Sequence, residues 1–117
     1  MKIIIAGWLD LPADKAERII LHAQHLIEAG RAETGCIAYD WALDPAKPGR
    51  VQVYEEWADE AALQGHFDHS AYAKMGAALQ AGPIMGFNVR KFLIADENTV
   101  YDGEGVPRAD FGHAAAV

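Results

Sequence analysis

Residues 51–72 read VQVYEEWADEAALQGHFDHSAY, and this stretch decides the fold. Its first seven residues alternate as a half-buried strand does and end on Trp57. Asp59 then stands where a helix N-cap belongs, because its carboxylate can accept a free first-turn N–H. Beyond it Ala62, Leu63, His66 and Phe67 fall at i, i+1, i+4 and i+5, one face of a short helix. Ser70 or Asp68 is placed to cap a second helix carrying Tyr72, Met75 and Leu79. A strand that delivers Trp57 into a helix turning His66 inward sets an indole beside an imidazole at one end of a pocket.

Working outward, residues 2–10 form the first strand. Ile3, Ile5 and Leu9 point one way and Ile4, Ala6 and Trp8 the other, so both faces need cover. Residues 12–31 read as one long amphipathic helix, with Pro12 in its first turn and Ala16, Ile19, Ile20, Ala23, Leu26, Ile27 and Gly30 in its stripe. His22 and His25 are spaced to share a metal, but no carboxylate or cysteine completes a site; they read as solvated, and no metal site is expected. Residues 35–43, GCIAYDWAL, form the second strand, with Ile37, Tyr39, Trp41 and Leu43 on one face. DPAKPG at 44–49 is a turn, and 50–57 returns as the third strand of a hairpin. AGPIMG at 81–86 breaks the pattern. Residues 87–95 form the last strand, whose Arg90 and Lys91 call for partners or a sheet edge. From Asp96 the period is lost, so residues 1–95 read as a domain and 96–117 as a tail. His113 in that tail has no assigned role.

At 117 residues, half of them hydrophobic (51%), the chain is long enough for one core in one domain. A formal charge of −7 disfavours nucleic acid and anionic membrane surfaces. Cys36 is the only cysteine, which excludes an internal disulfide and fits a reducing cytoplasm. Its apolar neighbours make it a small core residue. No apolar run approaches the ~20 residues of a membrane span, and MKIIIAGWLDLP reads as a strand, not a signal peptide.

The element order is β-α-β-β-(αα)-β. A right-handed crossover, a hairpin and a second crossover give an α+β, ferredoxin-like fold: a four-stranded antiparallel sheet with helices on one face. The other face keeps bulky apolar side chains that a monomer would expose. A second copy packed sheet to sheet, a homodimer, covers them.

ETGCIAYDWALDP at 33–45, VYEEW at 53–57, EAALQGH at 60–66 and the element order together resemble the antibiotic biosynthesis monooxygenase (ABM) domain family of the dimeric α+β barrel superfamily. The likeness covers roughly residues 2–95 and leans toward members related to quinol monooxygenases. It implies a homodimer, a pocket between helices and sheet, and oxygenation of electron-rich aromatics by O2 with no cofactor, metal or flavin. A deprotonated dihydroxy aromatic supplies the electrons itself. The chain departs from the pattern of the aromatic-polyketide members. Of their Asn, Trp, Tyr and Arg only Trp57 remains, with Val53, Leu63 and Ala77 at the other places. The haem-degrading members need an Asn where Ala6 or Gly7 stands and a His near Lys74–Met75, so haem degradation is not implied. Many members carry a histidine where Ala71 stands; here His69 lies two residues away.

His66 is the candidate base, with a structural histidine bonded to a strand carbonyl or a Glu as its alternative. Trp57 is a pocket wall or core residue. Tyr72 is a donor to a phenolate or a helix core residue. Asn88 and Arg90 share a strand face and are candidates to hold an oxyanion; Arg90 is equally placed to bridge Glu56 or Asp40. Tyr39 and Trp41 serve the pocket wall or the dimer layer. The expected function is a cofactor-independent monooxygenase acting on a small quinol or hydroxylated aromatic. A non-oxidative isomerase or decarboxylase on the same scaffold, or a non-catalytic small-ligand-binding dimer, are the alternatives.

Overall fold

The computed structural model describes residues 1–112; His113 lies outside the described residues. Four strands, β1 (Ile3–Asp10), β2 (Cys36–Leu43), β3 (Arg50–Trp57) and β4 (Gly86–Leu93), form one sheet in the order β2-β3-β1-β4. Every neighbouring pair is antiparallel. Four helices, α1 (Ala16–His22), α2 (Gln24–Arg31), α3 (Glu60–Asp68) and α4 (Ser70–Leu79), make the two crossovers. This is the ferredoxin-like α+β fold.

The register sorts side chains to two faces. Tyr39, Glu55, Ile5 and Lys91 form one row across the sheet beneath the helices, and Trp41, Val53, Gly7 and Val89 form the next. Ile3, Ile5, Tyr39, Val51, Val53 and Trp57 of this face are buried against Ile19, Ile20, Leu26, Ile27, Met75 and Leu79 of the helices. Burying side chains of that size contributes ~1.5–3 kcal/mol each. Gly30 lets α2 descend onto the sheet, since a Cβ there would sit 2.6 Å from Tyr39 Cδ2. The opposite face carries Ile4, Ala6 and Trp8 half-buried and Tyr54 and Phe92 exposed. β4 is an edge strand, which answers the demand its two basic residues made.

Three expectations need correction. The helix expected over 12–31 is two helices. The Ala23 N–H is shared between the Ile19 and Ile20 carbonyls and the backbone leaves helical geometry there. Neither Pro nor Gly marks the spot. The α4 cap is neither Ser70 nor Asp68 but His69, whose Nδ1 accepts from the Ala71 N–H at 3.1 Å. Finally, strict alternation fails in β2. The register shifts between Cys36 and Ala38, so Cys36 packs against the core while Ile37 is left 50% exposed.

After β4 the chain stays tied to β1 through Ile94 N–H to the Lys2 carbonyl and through Lys2 to Glu97 at 2.8 Å. It then folds on itself, with Tyr101 bridging Pro107 and Asn98 donating to the Phe111 carbonyl. No helix among the described residues is long and apolar enough to cross a membrane.

Candidate active site

Asp59 caps α3 as its position demands, accepting the Ala62 N–H at 2.8 Å. That fixes the helix's rotation and turns Leu63 and His66 inward. His66 is 3% exposed and stacks on Trp57, with ring centroids 4.5 Å apart. Tyr39 meets the imidazole edge-on at 5.3 Å and Tyr72 does so at 5.4 Å. The indole beside an imidazole read from residues 51–72 is therefore present.

Two carboxylates flank this imidazole. Glu33, just before β2, places both its oxygens 3.1 Å from Nδ1. Glu55 of β3 has Oε1 3.7 Å from Nε2, and that same oxygen accepts the Trp57 indole N–H at 3.0 Å. Both carboxylate side chains are less than a tenth exposed. An ionised Glu33 accepts Nδ1–H, which leaves the Nε2 lone pair free. Burial pushes the Glu55 carboxyl above its usual range, against the opposing pull of the Trp57 N–H and of His66. Burial also pushes the Tyr39 hydroxyl up to about 12, so it stays a donor at neutral pH.

Glu55 and His66 lie in the wall of a cavity of about 870 Å³ between α4 and the sheet. Tyr39, Trp41 and Val53 bound one side of it and Val89 and Lys91 the other. Gly7 lets β4 close onto β1 beside the cavity. Its φ is +157° and a Cβ there would run into the Asn88 carbonyl oxygen of β4, so this point in the sheet carries no side chain. The volume falls within the range of small-molecule sites, and the mix of apolar wall and few polar groups is usual for them. His66 also borders a second, smaller cavity of about 420 Å³ on the Glu33 side.

The sequence-derived candidates divide by sheet face. His66, Tyr39, Trp41 and Tyr72 border the cavity, and Trp57 lies fully buried behind His66, stacked on it and away from the lining. Tyr72 sits at its rim, 47% exposed. Asn88 and Arg90 pair with Trp8 and Ala6 and so point to the opposite face. Arg90 belongs to the strand that borders the cavity, but its guanidinium lies 5.3 Å over the Phe92 ring on the outer face. It bridges neither Asp40, which pairs with Arg31 at 2.7 Å, nor Glu56, which lies near Lys2. Arg90 and its neighbour Lys91 both border the cavity, Lys91 from the helix-side face of the strand. Sequence reasoning missed Glu33 and Glu55. Glu55 could have been found, as an acid on the apolar side of V-V-E-W alternation at 51–57. Glu33 left no signal, because nothing in a loop's sequence tells where its side chain lands. Among the described residues no group of three or more His, Cys, Asp or Glu side chains is arranged to hold a metal ion.

Residues 3–78 match the family model described as antibiotic biosynthesis monooxygenase. An uncharacterized protein of Synechocystis sp., sll1783, is 37% identical over 65 residues, spanning 56% of this chain and 44% of that protein. YcnE of Bacillus subtilis, a candidate monooxygenase, is 26% identical over 85 residues, spanning 70% of this chain and 90% of its own. The chain thus spans less than half of the cyanobacterial relative and most of the bacillar one. Among solved structures, a candidate antibiotic biosynthesis monooxygenase from Deinococcus radiodurans superposes with a TM-score of 0.75 at 21% identity, covering 86% of this chain and 99% of that one. With a family match over most of its length and the ferredoxin-like sheet in place, this chain belongs to the antibiotic biosynthesis monooxygenase family.

Proposed function

We propose that the protein is a cofactor-independent monooxygenase that oxidises a small quinol or hydroxylated aromatic with O2. The observation that carries the reading is the orientation of His66. Its Nδ1 is held by a buried carboxylate, its Nε2 stands 3.7 Å from Glu55 Oε1, and its ring borders a largely apolar cavity. That arrangement makes Nε2 a general base for a phenolic proton. Trp57 forms the wall behind it, and Tyr72 closes the rim over the ring.

In this reading the substrate's O–H bond breaks and Nε2 takes the proton. The electron-rich anion passes one electron to O2, and the resulting radical pair joins in a new C–O bond. The peroxide anion so formed takes the proton back, and loss of the hydrogen on the oxygenated carbon then breaks the O–O bond, leaving a carbonyl and releasing water. One oxygen atom stays on the ring, the other becomes water, and the substrate supplies all four electrons. The base therefore borrows a proton and returns it, which suits a group shielded from bulk water. Asn88 faces away, and stabilisation of the anion falls to donors that border the cavity, Tyr39, Tyr72, Lys91 and, on the β4 edge, Arg90.

A homodimer through the outer sheet face completes the reading. On the outer face Phe92 of β4 and Tyr54 of β3 are exposed in the single chain, beside the half-buried Ile4 and Trp8 of β1. A second copy would cover them. The test of function is an oxygen electrode: metal-free protein with a panel of quinols and anthrones should raise O2 consumption above the uncatalysed rate for at least one class. Turnover of an aromatic without O2 uptake would instead mark an isomerase or decarboxylase using the same base.

A further inference from the structure

A buried carboxyl needs a reason, because taking it out of water costs free energy that its partners must return. Glu55 stands in β3 on the helix side of the sheet and is 6% exposed, in a row with Tyr39, Ile5 and Lys91. One of its oxygens, Oε1, accepts the Trp57 indole N–H at 3.0 Å. Among the described residues no hydrogen bond reaches the other, Oε2. Nor is Oε2 sealed inside the protein. It keeps open surface, on the cavity whose wall Glu55 lines.

The groups around Glu55 decide which form the carboxyl takes. His66 of α3 stands 3.7 Å from Oε1, but Glu33 holds the same imidazole from its other side with both oxygens. One imidazole cannot neutralise two carboxylates. Cys36 and Tyr39 of β2 are held neutral by burial. Tyr72 of α4 meets the imidazole edge-on, and Lys91 of β4 lies two strands away with Ile5 between. The least costly arrangement puts the negative charge on Glu33 and a proton on Glu55. Burial of Glu55 favours that proton as well. Because Oε1 accepts from Trp57, the proton belongs on Oε2, the oxygen that opens on the cavity.

We propose that Glu55 is a second catalytic residue, whose Oε2–H donates to the substrate oxygen as His66 deprotonates it. The phenolic proton goes to Nε2 and Glu55 keeps its own. The charge left on the ligand oxygen is then held by a neutral acid, which stabilises an anion without adding a charge to repel it. The inference rests on the reading of this cavity as the phenol site and adds the group that meets the reacting oxygen.

The experiment is binding of 4-nitrophenol, whose absorbance distinguishes phenol from phenolate, to wild type, Glu55→Gln and Glu55→Leu at neutral pH. Gln keeps an oxygen for the Trp57 N–H and turns an N–H donor to the cavity; Leu removes the donor. Wild type and Glu55→Gln should bind the phenolate within about threefold of each other, and Glu55→Leu at least ~10-fold more weakly. The infrared spectrum of wild type should contain a carboxylic-acid C=O band that is absent from Glu55→Gln and shifts when the ligand binds. Tighter phenolate binding by both variants than by wild type would reveal an ionised Glu55 and overturn the inference. So would equal affinities in all three proteins, equal losses in the two variants, or the lack of that band. If 4-nitrophenol bound none of the three, the reading of the cavity would fail and this inference with it, whereas the expected binding pattern without O2 uptake on any quinol would defeat only the proposed oxygenation.

Discussion

Glu33 holds Nδ1 of His66 with both carboxylate oxygens at 3.1 Å. A base needs one ring nitrogen unprotonated, and this contact leaves Nε2, 3.7 Å from Glu55 Oε1, as the nitrogen to do that work in the proposed reaction. Glu33 acts through His66 and is a positioning residue. Glu33→Gln keeps a carbonyl near Nδ1 but offers an N–H as well, so either tautomer is satisfied. Nitrogen-15 spectra of His66 should change from one tautomer to a mixture, and kcat should fall by roughly 10–100-fold. An unchanged tautomer with an unchanged rate would remove Glu33 from the site.

Glu55 makes stability depend on pH in a particular sense. Burial raises its folded-state affinity for a proton above that of the unfolded chain. Below the unfolded carboxyl's ordinary range the group is protonated in both states and costs nothing. As pH rises above that range the unfolded state ionises first, so folding loses stability until the folded carboxyl also ionises. Glu55→Gln removes the titration while keeping an oxygen for the Trp57 N–H. Thermal melts should show the variant at least as stable as wild type at neutral pH, with the gap closing as pH falls toward 4. A variant that gains relative stability as pH falls would contradict the assigned shift.

Gly7 is the point where the sheet can least accept a side chain. In Gly7→Ala the Cβ meets the β4 backbone at the Asn88 carbonyl, so β4 has to move off β1. The expected cost is roughly 2–3 kcal/mol in urea unfolding. A variant as stable as wild type would show that β4 yields easily.

The proposed homodimer uses the outer sheet face. Ile4 and Phe92 are directly opposite each other in the β1–β4 register, and Phe92 is 41% exposed. Two charges placed there, Ile4→Glu with Phe92→Glu, should convert a dimer to a monomer in sedimentation equilibrium with the helical fold kept by circular dichroism. Wild-type protein that sediments as a monomer would leave the outer face unexplained.

Much of this fold could be read from the chain because the physics was local. Strand period, the Asp59 cap and the Pro–Gly turn at 44–49 each act within a few residues, so element order and sheet layout followed. The misreadings came where local rules are interrupted without a sequence marker. The bulge at Ile37 shifts alternation by one, and the break at Ala23 has no Gly or Pro. The site was half legible for the same reason. His66 and Trp57 are adjacent through one strand–helix unit, and their pairing follows from spacing. Glu33 reaches His66 from 33 residues away, a contact that only the assembled crossover creates. Assigning Asn88 and Arg90 to the site required knowing which way β4 faces, and that depends on its register with β1.

The most direct measurement is O2 uptake by His66→Ala beside wild type, with 1,4-dihydroxynaphthalene or whichever panel quinol the wild type consumes fastest. The account predicts that wild type takes up one O2 per quinol above the uncatalysed rate and that the variant loses at least ~100-fold of that excess while remaining folded and still binding the ligand under nitrogen. Equal rates for the two proteins would contradict it, because no other group in the cavity is then needed to take the proton from His66's place.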